Sequence, residues 1–291
     1  MKKILLVLII LCLPSIWALF KPGLFPSHDG DWMVIRLSAF HQSLRDGQFP
    51  VRWTGRLNHG YGYPIFNFIY PLPFYLGEIF YFLTRSFITS FKLVLSLSLL
   101  ASATTMFYWL RHRFSSLASL AGAVLYIYTP FRFVDVYVRG TFGEAVAFIF
   151  PPLLFLAVDL LPTKPKQAIL LGALSAAATF LAHNTFATFL VLALLYGFVT
   201  LDRKYLIRLI TMFVLAAALS VYFWLPALIE LKYVHLSQIL VTNTTEHLLT
   251  LKQLLLPSWG YGPASHNQDT SLSFQIGLMN LGVAILTLIL L

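Results

Sequence analysis

Asp29 and Asp31 stand two residues apart in "FPSHDGDWMVIRLSAFHQSLRDGQFPVRW", residues 25–53, a window that also carries Arg36, Arg45, Arg52 and Trp53. A carboxylate in such a place can take the proton of an attacking hydroxyl. Two carboxylates close together in a loop can hold a divalent cation between protein and phosphate. Arg36 and Arg52 are donors suited to an anionic leaving group, and Trp53 and Tyr61 offer ring faces beside it. Further along, "DVYVRGTFGE" at 135–144 sets Asp135, Arg139 and Glu144 together, and "LAHNT" brings His183 and Asn184. Arg139 has two readings: an internal ion pair with Asp135 or Glu144, or a planar fork for a phosphate. His183 is either a hydrogen-bonded packing residue or a functional group at the edge of a span.

The acids have a competing role. Ser27, Asp29 and Asp31 are all good N-caps, and a carboxylate is favoured by the dipole at a helix start. One cap needs one side chain, so capping does not account for both aspartates.

These residues need elements to hold them. Met33, Leu37, Phe40 and Leu44 recur at i, i+4, i+7 and i+11, which predicts a helix over about 31–46 with Arg36, Gln42, Ser43 and Arg45 mostly on other faces; Gly47 ends it. That helix is too short and too charged to span a bilayer. It is expected to lie in the headgroup layer, apolar face down, with Asp29 and Asp31 just above the surface.

The rest of the chain explains why the charges gather. Of 291 residues, 58% are hydrophobic and only 11% charged, and the mean hydropathy is +0.79. Together with repeated apolar runs of about 17–25 residues this predicts an all-α, polytopic transmembrane helical bundle and excludes a soluble domain. A net charge of +9 would suggest nucleic acid in a soluble protein; here the basic residues fall in short clusters between apolar runs, and no nucleic-acid partner is expected. Cys12 is the one cysteine, so no intrachain disulfide can form. "MKKILLVLIILCLPSIWALF" has a basic start without a small-x-small cleavage site and reads as an uncleaved first span. Nothing in the chain matches a P-loop, a dinucleotide-binding glycine pattern, a nucleophile elbow or a paired-cysteine metal motif.

Expected spans are residues 4–20, 88–110, 116–132, 145–161, 167–182, 185–200, 206–229 and 273–291. Placing "RHR" (111–113), "KPK" (164–166) and "DRK" (202–204) in the cytoplasm gives a consistent alternation from residue 88 onward. Residues 63–84 carry Pro64, Pro71, Pro73 and Glu78 and are expected as a re-entrant or interfacial pair of short helices, with a single crossing as the alternative. The first external loop then covers about 21–87. The segments at 25–53, 135–144, 182–185 and 230–272 share the outer side, the last with Glu230, His235, Glu246, His247, Trp259, Tyr261, His266 and Asp269. Its "PSWGYGP" (257–263) is turn chemistry with exposed aromatics, and "NTT" (243–245) fits a glycosylation acceptor.

The order "HDGDWMVIRL…LRDGQFPVRW…GYGYPIFNFIYPLPFYL", then "FRFVDVYVRGTFGEAVAF" and "LAHNT", resembles the bacterial polytopic membrane family called 6-pyruvoyl-tetrahydropterin synthase-related, which is similar to membrane glycosyltransferases of the GT-C fold. The pterin name implies little, since no three zinc-binding histidines are closely placed. The resemblance implies a single GT-C-like module over residues 1–291 in the inner (cytoplasmic) membrane, active at its extracytoplasmic face. It implies a polyprenyl-phosphate sugar donor among the membrane lipids and an acceptor that the sequence does not name. The essential acid of the first external loop falls on Asp29, with Asp31 as the substitute. Arg36, Arg52, Trp53, Tyr61, Arg139, Glu144, His183 and Asn184 are the candidate substrate-binding residues, and Asp29 with Asp31 the candidate site of a divalent cation. Such enzymes are commonly longer, with a C-terminal external domain, whereas this chain ends at Leu291 inside an apolar run; a fragment or reduced member is expected. The competing class is a non-enzymatic lipid or polysaccharide transporter or an assembly scaffold, which calls for ionisable residues deep along several spans.

Overall fold

The structure, a computed structural model, describes residues 2–234, 248–262 and 271–290. His235, Glu246, His247, "NTT", His266 and Asp269 lie outside the described residues. Among the described residues the chain is helical, with one isolated antiparallel bridge between Thr54 and Tyr63. This is an all-α, multi-pass membrane protein: five helices are long and apolar enough to cross a bilayer by length and composition, and six if one bent pair counts as a span.

The first is Lys2–Phe20, made of α1 (Lys2–Ile16) and a short 3-10 turn. After it come α2 (Gly30–Arg45), α3 (Ile65–Phe68) and α4 (Leu72–Thr84), none of which is long enough to cross. The proline-rich stretch at 63–84 is thus two short helices. α5 (Phe87–Arg111) is a full span; the Ser86 hydroxyl accepts from the Thr89 N–H at 3.2 Å and caps its start. Ser115 caps α6 (Ser116–Ile127) in the same way, at 3.3 Å from the Ala118 N–H.

The expected straight span at 116–132 is broken. Pro130 drives Thr129 out of helical geometry (φ −55°, ψ 127°), so α6 is bent by 48° from the segment Pro130–Arg139, which comprises α7 (Pro130–Phe133) and a π-helical turn over Val134–Arg139. α8 (Phe142–Ala147) and α9 (Phe150–Leu160) form the next span, and α10 (Pro165–Ala182) follows. The run expected at 185–200 yields a 14-residue helix, α11 (Ala187–Thr200), because the chain is extended at His183 and turns through 184–186 first. α12 (Leu206–Glu230) lies within the long span Arg203–Tyr233. The run expected at 273–291 is helical only from Leu278, in α14 (Leu278–Leu290), preceded by Gly277 at φ +96° and by the small capped helix α13 (Leu251–Leu255).

Two cores organise the packing. Around α2, α3, α4, α5 and α8 the rings of Phe40, Phe66, Phe74 and Phe142 meet edge-to-face at 4.8–5.3 Å, with Phe91 beside them. The second joins α9, α10, α11 and α12 through small residues such as Ala157, Ala176, Ala193 and Ala216, which let helices approach closely without a hydrophobic drive from water. The apolar stripe of α2 belongs to the first core: Met33, Leu37 and Phe40 are buried in protein, not laid on lipid, because α3 and α4 fold beneath them. Ser43 is buried as well and donates to the Trp53 carbonyl at 3.0 Å, so it stands on the inner face, while Leu44 is half-buried.

Polar contacts gather at two opposite ends of the bundle. At one, Asp159 accepts from Arg113, from Trp109 Nε1 at 3.1 Å and from the Tyr196 hydroxyl at 2.7 Å, and Arg208 donates to the Leu161 carbonyl at 3.0 Å. This end carries the three basic clusters. The other end carries α2, the 134–144 segment, His183 and the 257–262 loop.

Candidate functional site

The site is built where the loop before α2 meets the π-helical turn. The N–H groups of His28 and Asp29 donate to the carbonyls of Val138 (2.9 Å) and Arg139 (2.8 Å), and His28 Nε2 lies 2.6 Å from the Tyr261 carbonyl. Gly140 makes this approach feasible. It has φ +67°, and a Cβ there would stand 2.9 Å from the Gly30 nitrogen and 2.5 Å from Ser27 Oγ.

Ser27 resolves the capping question. Its hydroxyl accepts from the Gly30 N–H at 3.2 Å, whereas Asp29, at the N-cap position, makes no side-chain capping bond. Among the described residues the Asp29 carboxylate has no hydrogen-bond or salt-bridge partner, yet its charge reaches both Arg139 and Tyr70. Asp31 is exposed and sits in the first turn of α2, not in a loop. Positions i and i+2 at a helix start do not face each other. A cation shared by the two aspartates therefore has no converging donor set, and no group of three or more His, Cys, Asp or Glu side chains gathers elsewhere among the described residues.

Beneath Asp29 the π-helical turn and α8 present a charged cluster. Arg139 donates through Nη1 to Asp135 Oδ1 (3.2 Å) and Glu144 Oε2 (2.8 Å), and through Nη2 to Glu144 Oε1 (2.7 Å). Its fork is filled by carboxylates, so of the two sequence readings the structure displays the internal ion pair. Asp135 is fully buried, and the Thr141 hydroxyl donates to it. His183 Nε2 stands 3.8 Å from Glu144 Oε1, its ring 4.7 Å from that of Tyr70. Tyr70 in turn fits against Gly143, where a Cβ would lie 2.2 Å from the Tyr70 ring and 2.7 Å from the Ala182 carbonyl. Burial holds the His183 imidazole below its ordinary value against the pull of Glu144, and burial likewise pushes the Tyr70 phenol up.

Of the remaining candidates, Arg36 has no hydrogen-bond or ion-pair partner among the described residues and Arg52 has two. Arg36 is half-buried, makes no hydrogen bond or ion pair among the described residues, and is close enough to Tyr70 for its charge to act there. It lines a groove of about 290 Å³ with Trp32, Asn58 and Tyr63. Arg52 instead donates to Asn67 Oδ1 (3.3 Å) and the Tyr222 carbonyl (3.0 Å), while Asn67 donates to Glu230 at 2.8 Å, a network that ties the loop to the end of α12. Trp53 lies over Gly62, Tyr61 is 84% exposed, and Asn184 donates to the Phe68 carbonyl at 2.9 Å.

Sequence reasoning missed Arg132. It is 2% exposed, stacks 3.9 Å above the Phe148 ring and donates to Ser102 at 2.9 Å; among the described residues its Nε and Nη1 have no partner, nor does Asp135 Oδ2. An arginine inside an apolar run was the available signal.

The fold and the polar end define a class: a multi-pass α-helical membrane protein in which an acid without a partner among the described residues, Asp29, stands near a buried charged cluster. Residues 66–284 match the model of the family described as "6-pyruvoyl-tetrahydropterin synthase related domain; membrane protein", and the chain belongs to that family. It is 26% identical over 242 residues to a protein of Lactococcus lactis subsp. cremoris (strain MG1363) that bears the name "Uncharacterized protein". The match covers 78% of this chain and 39% of that one, so the chain spans about two fifths of its relative's length. No solved structure matches.

Proposed function

We propose that the chain is a membrane glycosyltransferase that moves a sugar from a polyprenyl-phosphate donor to an acceptor at the outer face of the cell membrane. The observation that carries this is that α2, at one polar end of the bundle, carries a carboxylate that makes no capping bond, Asp29, and a guanidinium with no ion pair among the described residues, Arg36. Asp29 takes the proton of the acceptor hydroxyl as its oxygen attacks the anomeric carbon. The bond to the donor oxygen breaks, and Arg36 meets the negative charge that develops on the leaving phosphate. Arg139, already committed to two carboxylates, holds the floor of the site; Arg52 serves the loop and not the phosphate.

Two further features support the reading. An apolar groove of about 670 Å³ runs between α10, α11 and α12, with Phe68 and Asn184 at the same end as His183 and Phe180, Phe213 and Trp224 along it, which suits an isoprenoid tail. The basic clusters sit at the opposite end, as cytoplasmic loops do, which supports an outer-face position for Asp29.

The test uses purified full-length chain in vesicles carrying a polyprenyl phosphate labelled in its sugar, supplied with cell-envelope acceptor extract. Label is expected to leave the organic-soluble lipid fraction. Label that stays in lipid at the rate of protein-free vesicles, with every candidate sugar, would refute the transferase reading.

A further inference from the structure

α2 carries a second constellation on its other flank. His41, Arg45, Arg56 and Gln42 line a cavity of about 390 Å³ with Ser38 above an apolar floor that includes Tyr81 and Phe87. His41 is fixed in place: its Nδ1 is 2.8 Å from Glu78 Oε2, and its ring packs 4.5 Å from Tyr81, which itself stacks on Phe87 at 4.1 Å. That bond leaves Nε2 as the open ring nitrogen. Arg45 and Arg56 are exposed and make no ion pair or hydrogen bond among the described residues. The nearby acids are already engaged, Glu78 by His41 and Asp46 by the Gln42 amide at 2.8 Å, so neither neutralises the two arginines.

We infer that this cavity binds a phosphate ester, held by the guanidinium groups of Arg45 and Arg56 with His41 as a third polar contact. Two unpaired planar forks at a cavity that also offers an imidazole, a hydroxyl and an amide match the oxygens of a phosphate, and the aromatic floor accommodates the carbon skeleton attached to it. The half-buried Glu78 carboxyl holds the His41 imidazole in one orientation, so this third polar contact is fixed in place. The cavity shares Ile35 and Leu57 with the Arg36 groove but contains neither Asp29 nor Arg36. Its occupancy therefore stands or falls apart from the transferase reading.

The phosphate can belong to a lipid headgroup or to a soluble ester, and two probes separate the sources. Full-length protein in neutral detergent is titrated with glycerol 3-phosphate and with phosphatidylglycerol, and glycerol serves as the phosphate-free control. Wild type is expected to bind at least one phosphate probe and not glycerol, and the tighter probe identifies the source. The Arg45→Gln/Arg56→Gln variant is expected to bind about tenfold or more weakly, the scale of losing hydrogen bonds to a charged group. Arg203→Gln, at the opposite end of the bundle, is expected to bind as wild type does. Should the glutamine pair not fold, Arg45→Lys/Arg56→Lys keeps the charge and is expected to lose several-fold through the missing fork. Wild type that binds neither phosphate probe, or a folded double variant that binds like wild type, overturns the site.

Discussion

Asp29→Asn is expected to lower sugar transfer by about 10²–10⁴-fold, the usual contribution of a positioned general base, while the unfolding midpoint in detergent stays at the wild-type value. Both halves come from the same geometry. Ser27 caps α2, so the amide removes no capping bond, and the Asp29 backbone contact to Arg139 does not involve the side chain. Asn keeps the volume and loses the basicity. Asp31→Asn is expected to leave turnover close to wild type, because Asp31 points into solvent from the first turn of the helix. Full turnover in Asp29→Asn, or a loss confined to Asp31→Asn, would remove Asp29 from the role of base.

The largest expected stability effect lies at the other end of the molecule. The Asp159 side chain is 2% exposed and serves Arg113, Trp109 and Tyr196 together. Asp159→Ala is expected to cost about 2–3 kcal/mol, because the Trp109 and Tyr196 donors lose their acceptor while the half-exposed Arg113 turns to water. Asp159→Asn, which keeps acceptor capacity for the indole or the phenol, is expected to cost less. Denaturant titration of the purified variants measures both. A cost for the alanine below about 1 kcal/mol would mean that the pair behaves as an exposed one, despite its burial.

Much of this architecture is legible in residue order. The apolar runs, the basic clusters and the i, i+4, i+7 spacing of Met33, Leu37 and Phe40 are local signals, and five of the expected spans and α2 occur where those signals stand. What was less legible depends on distant partners. The face of α2 that periodicity marks as apolar is the same whether lipid or protein covers it; only the aromatic cluster with Phe66 and Phe74 decides for protein. Pro130 was visible, but the 48° bend after α6 required knowing that Thr129 leaves helical geometry instead of the helix kinking in place. At the site, "DVYVRGTFGE" announced a cluster, yet whether Arg139 faces a ligand or its own carboxylates turns on Glu144 entering from α8. The choice of Ser27 over Asp29 as cap likewise rests on Gly140 bringing a second segment against the first turn. The Asp159 network joins α5, α9 and α11, and no short window contains it.

The most direct measurement is a structure of the full-length chain in lipid nanodiscs saturated with polyprenyl phosphate. Phosphate density within hydrogen-bond reach of Arg36 and beside the Asp29 carboxylate, with the tail in the groove between α10, α11 and α12, is the expected result. A saturated preparation in which that place is empty, or in which the phosphate sits only elsewhere on the protein, would contradict a lipid-linked reaction at Asp29.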